Sequence, residues 1–219
     1  MPTTSADARF WDRIAQKYAA DPIKDMAGYE RTIARTRDWL SPSHTVLELG
    51  CGTGTSALLL APSVARITGS DLSGAMIAIA AEKAAAQGCG NVSFVVGAAD
   101  DAIADEGSCD AILAFNLLHL VGDRQAAFRQ IRRLLRPGGL FISKTPCLAE
   151  MTMLIRLAVP VMRVIGKAPH VSFFTAEALE QDVAAAGFTV LERARHGSGR
   201  RDRRIFLVAR NGEAPDSDA

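Results

Sequence analysis

The segment that most constrains the fold is VLELGCGTG at Val46–Gly54, where a short apolar run leads directly into three closely spaced glycines. A strand that stops at a glycine-rich turn and continues as a helix is typical of open parallel sheets, in which ligands bind beyond the carboxyl ends of the strands. The glycines let a ligand approach the backbone, and the following helix offers free N–H groups to an anion. The segment therefore predicts both a parallel sheet and a nucleotide-like ligand.

The remaining sequence alternates short apolar runs with helical patterns. This alternation predicts right-handed βαβ units and a parallel sheet covered on both faces. Two final runs, Phe188–Arg193 and Arg204–Arg210, flank a glycine- and arginine-rich turn and predict an antiparallel hairpin. The parallel strands are predicted at Thr45–Leu49, Arg66–Ser70, Val92–Val96, Ala111–Phe115 and Leu140–Ser143, with the clearest helices at Gly74–Gln87 and Asp123–Leu135.

Composition narrows the range of partners. The 219 residues include 25 Lys and Arg against 24 Asp and Glu, so the net charge is only +1. Because nucleic-acid binders usually carry a basic excess, we expect no nucleic-acid partner. The four cysteines are isolated, without a CxxC pair or histidines at metal-ligand spacing, which favours a reduced cytoplasm and no metal site.

No stretch is long and apolar enough to predict a membrane span. The most apolar one, Met151–Ile165, is too short and contains Arg156, Pro160 and Arg163. The first residues lack the charged start and apolar run of a secretory signal. We expect a cytoplasmic protein without stable membrane insertion, and leave peripheral membrane contact and the oligomeric state open.

An acidic residue supports a ribose-bearing ligand. Asp71 ends the second predicted strand, where its carboxylate can accept hydrogen bonds from both ribose hydroxyls; its alternative role is to cap the next helix, in competition with Ser73. Thr55 stands where a dinucleotide-binding GxGxxG pattern needs its last glycine, which disfavours a pyrophosphate. Glu48 suits a ligand with an amino-acid end, because a carboxylate can neutralise an ammonium group. The glycines alone could also form a tight turn without a ligand.

Five ordered segments together resemble the class I S-adenosylmethionine-dependent methyltransferases, most closely the small-molecule branch that includes the ubiquinone/menaquinone methyltransferases. The resemblance covers about residues 10–210. It implies an enzyme that transfers a methyl group in line from S-adenosyl-L-methionine, which leaves as S-adenosyl-L-homocysteine. The resemblance says little about the acceptor, but the apolar residues of the segment at 147–168 favour a small, lipophilic molecule. The segments are VLELGCGTG at Val46–Gly54, GSDLS at Gly69–Ser73, Gly97–Ile103, FNLLHLV at Phe115–Val121 and LLRPGGLFIS at Leu134–Ser143, preceded by FWDRIAQKYA from Phe10.

The resemblance also implies the architecture. We expect an α/β fold with a Rossmann-like, seven-stranded, mostly parallel sheet, an antiparallel C-terminal strand and helices on both faces. Residues 1–44 would form an N-terminal helical cover, and residues 45–210 the core with a helical lid insertion at 146–172. Residues 211–219 would be a flexible tail.

Individual roles follow from the resemblance. The loop glycines would line the methionine moiety with Glu48 near its amino group, Asp71 would hold the ribose hydroxyls, and Tyr18 would close over the cofactor. Leu72 and Met76 would cover the adenine, and Asn116 would lie beside the methionyl end. The implied cofactor-binding residues are Tyr18, Glu48, Gly50, Cys51, Gly52, Gly54, Asp71, Leu72, Met76, Ala99, Asp100 and Asn116.

One position departs from the family pattern. The family often has Asp directly after the glycine at Gly97, where this chain has Ala98. Asp100 would substitute for it, with the Ala99 backbone reading the adenine edge. A solvated loop is the alternative for Asp100.

Fewer residues indicate how catalysis occurs and which acceptor is bound. His119 is the candidate general base, because it follows the fourth predicted strand and its usual pKa suits proton transfer; a partly buried structural histidine is the alternative. The lid insertion would contribute Met153, Arg156 and Arg163 to the acceptor pocket, unless it packs on the core with its arginines in water.

Two other functions remain open at this stage. A nicotinamide-dependent oxidoreductase would share the strand–loop–helix unit, but Thr55 and the terminal hairpin argue against it. A non-catalytic cofactor-binding module is supported only by the lipophilic insertion and the arginines between Arg193 and Arg204. The sequence does not decide whether oxygen, nitrogen or carbon accepts the methyl group.

Overall fold

The computed structural model of the protein describes residues 5–150, 168–199 and 202–212. Their seven strands form one sheet in the order β3-β2-β1-β4-β5-β7-β6. β7 is antiparallel to both of its neighbours, and every other pair is parallel. The strands are β1 (Thr45–Leu49), β2 (Arg66–Asp71), β3 (Val92–Val96), β4 (Cys109–Phe115), β5 (Leu135–Pro146), β6 (Phe188–Ala194) and β7 (Arg204–Asn211).

The helices lie on both faces of this sheet, so the predicted fold class is confirmed. One face buries residues such as Phe128, Phe141 and Phe188, and the other buries residues such as Ile33 and Phe206. Short 3-10 turns at Ala61–Ser63 and Leu148–Glu150 complete the described elements. The helices are α1 (Ser5–Ala20), α2 (Met26–Asp38), α3 (Thr55–Leu60), α4 (Gly74–Ala86), α5 (Arg124–Leu134) and α6 (Ala176–Ala185).

β5 begins earlier than the sequence predicts. Leu135 already pairs with Cys109, and the ladder then resumes with Leu140 opposite Ala111. The residues between them bulge outward, and Gly138 there takes a φ of 74°. The Arg-Pro-Gly-Gly segment at Arg136–Gly139 therefore interrupts a strand that begins at Leu135, whereas the sequence predicts a start at Leu140.

Side-chain caps set the starts of three helices. Asp123 accepts a hydrogen bond from Ala126 N at 2.9 Å, and Thr175 accepts one from Ala178 N at 3.1 Å. Ser73, not Asp71, caps α4 by accepting from Met76 N at 3.1 Å. The competition between Asp71 and Ser73 is thus resolved in a way that leaves Asp71 free for another role.

The N-terminal helices attach to the core at both ends of the sheet. α1 packs on α4 through Ala15, Met76 and Ile79. α2 is tied to β6, because Glu192 accepts hydrogen bonds from Arg35 Nη2 at 2.7 Å and from Trp39 Nε1 at 2.8 Å. These contacts bring both helices over the carboxyl ends of the central strands.

Two sequence-based expectations concern the chain after β5. Most of the lid insertion, including Met153, Arg156 and Arg163, lies outside the described residues. Asn211, which we assigned to the flexible tail, is instead the last residue of β7 and is buried. Its side-chain amide donates to Leu135 O at 3.2 Å and Arg136 O at 3.2 Å, which satisfies two carbonyls at the start of β5. Within the described ranges, no helix has the length and apolar character to cross a membrane.

Candidate functional site

The candidate site lies at the carboxyl ends of β1, β2 and β4. The chain continues from β1 to β2 on one side and places β4 on the other, so the strand order diverges here and opens a crevice. A cavity of about 400 Å³ and a smaller one of about 80 Å³ meet at this point. The residues that line both cavities are Tyr18, Gly50, Gly52, Phe115 and Asn116.

Two of the loop glycines, Gly52 and Gly54, have different structural roles. Gly52 has a φ of 53°, and a Cβ placed there would point toward the cavity, with the nearest side-chain atom, in Tyr18, 3.7 Å away. Gly54 has a φ of 74°, and a Cβ there would lie 2.6 Å from the Phe94 ring and 2.8 Å from Ala80 Cβ. Gly52 therefore keeps space open for a ligand, whereas Gly54 lets the loop pack against β3 and α4.

Asp71 turns toward the smaller cavity from the end of β2. Its Oδ2 accepts from Gly52 N at 3.0 Å, and its Oδ1 accepts from Ser73 N at 2.9 Å. Each oxygen keeps a further lone pair for a ligand hydroxyl. Burial raises the pKa of Asp71, although the two backbone hydrogen bonds oppose that shift. Leu72 and Met76 line the same cavity, and the adenine contact that the resemblance implies for them stays a prediction.

Glu48 is the most unusual acid of the site. Its side chain is only 1% exposed, and Ser56 Oγ donates a short hydrogen bond to Oε1. Oε2 has no hydrogen-bond partner among the described residues. Because burial disfavours the charged form, the pKa of Glu48 rises to about 7, although the Ser56 hydroxyl and the Ala57 N–H oppose that shift. Glu48 is one of the residues that line the larger cavity.

Asn116 lines both cavities, and its backbone is strained. It has a φ of 53°, the one positive value outside glycine in the described part of the chain. Its N–H donates to Lys144 O at 2.7 Å, and Leu117 beside it packs against Gly50. Asn tolerates the left-handed region better than most residues, so the geometry and the residue type agree.

The remaining predicted cofactor residues divide into two groups. Tyr18 and Cys51 line the larger cavity, and Ala99 lines the smaller one. Burial raises the pKa of the Cys51 thiol, which keeps it protonated. Asp100 is exposed and lines neither cavity, while its neighbour Asp101 accepts from Ala98 N at 2.7 Å. The structure thus brings Ala99 to the site but leaves Asp100 in solvent, and a contact between Asp100 and the cofactor stays a prediction.

His119 lies behind the site. Its Nδ1 is 3.2 Å from Thr145 Oγ1, its carbonyl accepts from Ser172 N at 2.7 Å, and it lines neither cavity. Burial lowers the pKa of His119 to about 4, so the ring is neutral at physiological pH. A neutral ring can accept a proton, but this position favours the structural alternative, and a catalytic role stays a prediction.

Several cavity residues escaped the sequence analysis. Tyr29 and Thr32 of α2 and Lys144 at the end of β5 all line the larger cavity. Burial and the nearby Glu48 raise the pKa of Tyr29. Lys144 carried a usable signal, because it interrupts the apolar run LFIS–K–TP with a charge. The α2 residues carried none, since only packing of the helix onto the sheet brings them to the cavity.

Comparison with known proteins agrees with this geometry. A family model described as a methyltransferase domain matches residues 12–193. The demethylmenaquinone methyltransferase of Mycolicibacterium gilvum is 33% identical over 139 residues, which cover 62% of this chain and 58% of that protein. The ubiquinone/menaquinone biosynthesis C-methyltransferase of Geotalea daltonii is 35% identical over 104 residues, or 45% of this chain and 44% of that protein. The chain therefore spans about half the length of these curated relatives.

A solved structure supports the fold over almost the whole chain. The cyclase SpnF superposes with a TM-score of 0.73 at 21% sequence identity, and the match covers 98% of both chains. Identity at this level supports the shared fold and leaves the chemistry to the site residues. Together with the family match, it confirms the resemblance drawn from the five sequence segments.

Proposed function

Because the chain belongs to the methyltransferase-domain family, we propose that it is an S-adenosylmethionine-dependent methyltransferase that acts on a small molecule. The observation that carries this proposal is the buried Glu48, which lines a cavity together with the glycine loop and whose Oε2 has no hydrogen-bond partner in the described part of the chain. A buried carboxylate oxygen without a donor is costly unless a ligand supplies one. The protonated amino group of a methionine moiety has the charge and the donors to do so.

The other site residues fit the rest of the cofactor. Asp71 would accept hydrogen bonds from the ribose hydroxyls, and Leu72 and Met76 would pack on the adenine. Gly52 would let the methionine moiety lie against the backbone, because a side chain there would enter the cavity. Tyr18 would cover the junction of the two cavities from the end of α1.

Methyl transfer depends mainly on how the protein positions the acceptor and the methyl group. When bound, S-adenosylmethionine supplies an activated methyl group on a positively charged sulfur. The protein must orient the acceptor beside it and limit water, and correct orientation alone can contribute on the order of 7–11 kcal/mol in the best cases. The strained Asn116 and the rigid ends of β4 and β5 provide that fixed frame.

A small, lipophilic acceptor suits the larger cavity. Its wall includes Ile23, Ile33 and Phe115, and its volume of about 400 Å³ is in the range of small-molecule sites. Two relatives are named for reactions on quinone precursors or quinone biosynthesis, which supports a small molecule over a nucleic acid. The net charge of +1 supports the same choice.

We also place the protein in the cytoplasm. The four cysteines are free, and three of them are buried. Free thiols are typical of a reducing compartment.

Calorimetry and transfer assays together test the function. Titration with S-adenosylmethionine, S-adenosylhomocysteine and NADH should give binding for the first two and none for NADH. Transfer of a labelled methyl group into a metabolite extract should then label at least one small molecule. Binding of NADH alone would support an oxidoreductase, and cofactor binding without any transfer would support the non-catalytic module.

A further inference from the structure

Lys144 is a charged group of the site that the proposed function does not use. It lies at the carboxyl end of β5, opposite Phe115 of β4, and its carbonyl accepts the N–H of Asn116. Lys144 is only 5% exposed, and it lines the larger cavity together with Glu48 and Tyr29. The lysine is thus next to the residue that joins the two cavities.

Helix α2 holds the ammonium group in place. Lys144 Nζ donates to Thr32 Oγ1 at 2.7 Å and approaches Gly28 O at 3.4 Å. Thr32 Oγ1 donates its own proton to Gly28 O at 2.8 Å, and it also lies 3.2 Å from His196 Nδ1. Because the hydroxyl proton is already used, Thr32 acts as an acceptor for Lys144, and at least one of the three ammonium protons remains for a further partner.

No negative charge in the described part of the chain pairs with Lys144. No carboxylate oxygen there lies within 4.0 Å of Nζ. The nearby Asp25 and Asp202 are engaged by Arg204, at 3.4 Å and 3.1 Å. Arg204, which also lines the cavity, therefore has two carboxylates in contact, whereas Lys144 has none among the described residues.

The energetics of Lys144 point to a ligand. Burial, together with Arg204 and Arg31, lowers the pKa of Lys144 to about 8, with Asp202 and Asp25 acting in the opposite direction. The side chain is thus still largely protonated at neutral pH. Among the described residues, the carboxylates that offset the charge of Lys144 lie beyond direct contact. A buried cation without a carboxylate in contact destabilises the protein, and such groups in clefts are candidates for binding a charged ligand.

We propose, on the basis of the methyltransferase function above, that the methyl acceptor is an acidic small molecule whose anionic oxygen, a carboxylate or an ionised hydroxyl, pairs with Lys144. The larger cavity would then hold two ionic contacts of opposite sign. Glu48 receives the positive amino group of the cofactor, and Lys144 receives the negative group of the acceptor. Lys144 acts here as a specificity-determining residue, which selects acids over their neutral esters and ethers.

Binding of paired probes to the protein saturated with S-adenosylhomocysteine tests this role without knowledge of the natural acceptor. The carboxylate pair is octanoate and methyl octanoate, and the hydroxyl pair is 4-nitrophenol and 4-nitroanisole, each titrated by calorimetry. In at least one pair the acid should bind about 10-fold more tightly than its neutral partner, as expected for one charge-assisted hydrogen bond. The pair that shows the preference identifies the source of the anionic oxygen.

Variants at position 144 test whether Lys144 causes the preference for the acid. Lys144→Met should reduce the acid preference to less than about 2-fold while S-adenosylhomocysteine affinity stays unchanged, because the cofactor residues are untouched. Lys144→Arg should retain the preference. Lys17→Met, which removes an exposed lysine of α1, is the matched control and should behave as the wild type. If Lys144→Met does not fold, Lys144→Gln serves as the neutral variant.

The possible failures are distinct. Absence of any acid preference in the wild type, or its survival in the neutral Lys144 variant, overturns the proposal about Lys144 and leaves the methyltransferase function standing. Failure of the wild type to bind S-adenosylhomocysteine in the first titration overturns the proposed function itself.

Discussion

At the scale of single residues, the larger cavity is defined by two buried groups of opposite charge. Glu48 has an oxygen without a partner, and Lys144 has no carboxylate within 4.0 Å in the described ranges. Burial moves both pKa values toward neutrality, to about 7 and about 8. Such residues cost folding free energy, so their presence at one cavity indicates binding and not core packing.

Glu48 makes cofactor binding pH-dependent. In the free protein its pKa is about 7, and only the ionised form attracts an ammonium group, so affinity for S-adenosylhomocysteine should rise as the pH increases from about 6 to about 8. Glu48→Gln should lower the affinity at pH 8 by about 10-fold and flatten the profile. Calorimetry across this pH range measures both effects. Glu82→Gln, an exposed change on α4, is the control, and an unchanged profile in Glu48→Gln would contradict the assignment.

The glycines offer a second test at this scale. Gly54→Ala should lower the free energy of unfolding by about 2–4 kcal/mol, because it combines left-handed backbone strain with overlap against Phe94 and Ala80. Gly88→Ala is the matched control. Gly88 has a φ of 64° with no atom within 4 Å of an added Cβ, so it should cost only about 1 kcal/mol. Urea denaturation compares the two, and equal losses would show that packing at Gly54 does not matter.

At the scale of elements, the N-terminus of α4 is where the helical cover meets the core. Ser73 Oγ caps α4 and donates to Asp12 Oδ1 of α1 at 2.6 Å, and Ala75 N donates to the same oxygen at 3.1 Å. α1 in turn carries Tyr18 to the junction of the cavities. One serine therefore links helix capping to the position of a site residue.

Two cap variants distinguish the contact between Ser73 and α1 from the capping of α4. Ser73→Ala and Asp123→Ala each remove an N-cap and should each cost about 1 kcal/mol of stability. Only Ser73→Ala should also accelerate hydrogen exchange of the α1 amides, because only Ser73 contacts the cover. Mass spectrometry of exchanged peptides provides the measurement. Equal protection of α1 in both variants would mean that the remaining contacts, including the bond from Ala75 N to Asp12, hold this helix without Ser73.

At the scale of the whole molecule, both faces of one sheet are buried, so the protein should unfold as a unit. Ile112 of β4 packs into one face and Ile142 of β5 into the other, and both are fully buried. Because β4 and β5 each contribute to both cores, loss of packing on one face weakens the centre of the sheet. The cover is joined to this unit through α4 and through Glu192 of β6.

Ile112→Val and Ile142→Val should each lower the free energy of unfolding by about 0.5–1.5 kcal/mol. In both variants, far-ultraviolet circular dichroism and tryptophan fluorescence should give the same urea midpoint. The two tryptophans, Trp11 and Trp39, belong to the N-terminal cover, so fluorescence follows the cover and circular dichroism follows the whole chain. Midpoints that differ would reveal a cover that unfolds separately.

The sequence by itself determined the order of strands and helices along the chain, the position of the glycine loop and the acidic residue at the end of β2. These features depend on local periodicity, turn chemistry and caps, which act between residues close together in the chain. It also indicated that Glu48 belongs to the site. It misplaced the start of β5, because a bulge that spans Arg136–Gly139 looks like a turn until the pairing with β4 is known.

Only the tertiary structure decided which residues share the larger cavity. Thr32 and Lys144 are separated by 112 residues, and no local pattern relates a helix of the cover to the end of β5. Packing of α2 across the sheet creates both the hydrogen bond that holds the lysine and the low-polarity surroundings that lower its pKa. Burial, and the lack of a carboxylate in contact with Lys144 among the described residues, are properties of the folded chain, so the proposed preference for an acidic acceptor follows from the fold and not from any motif.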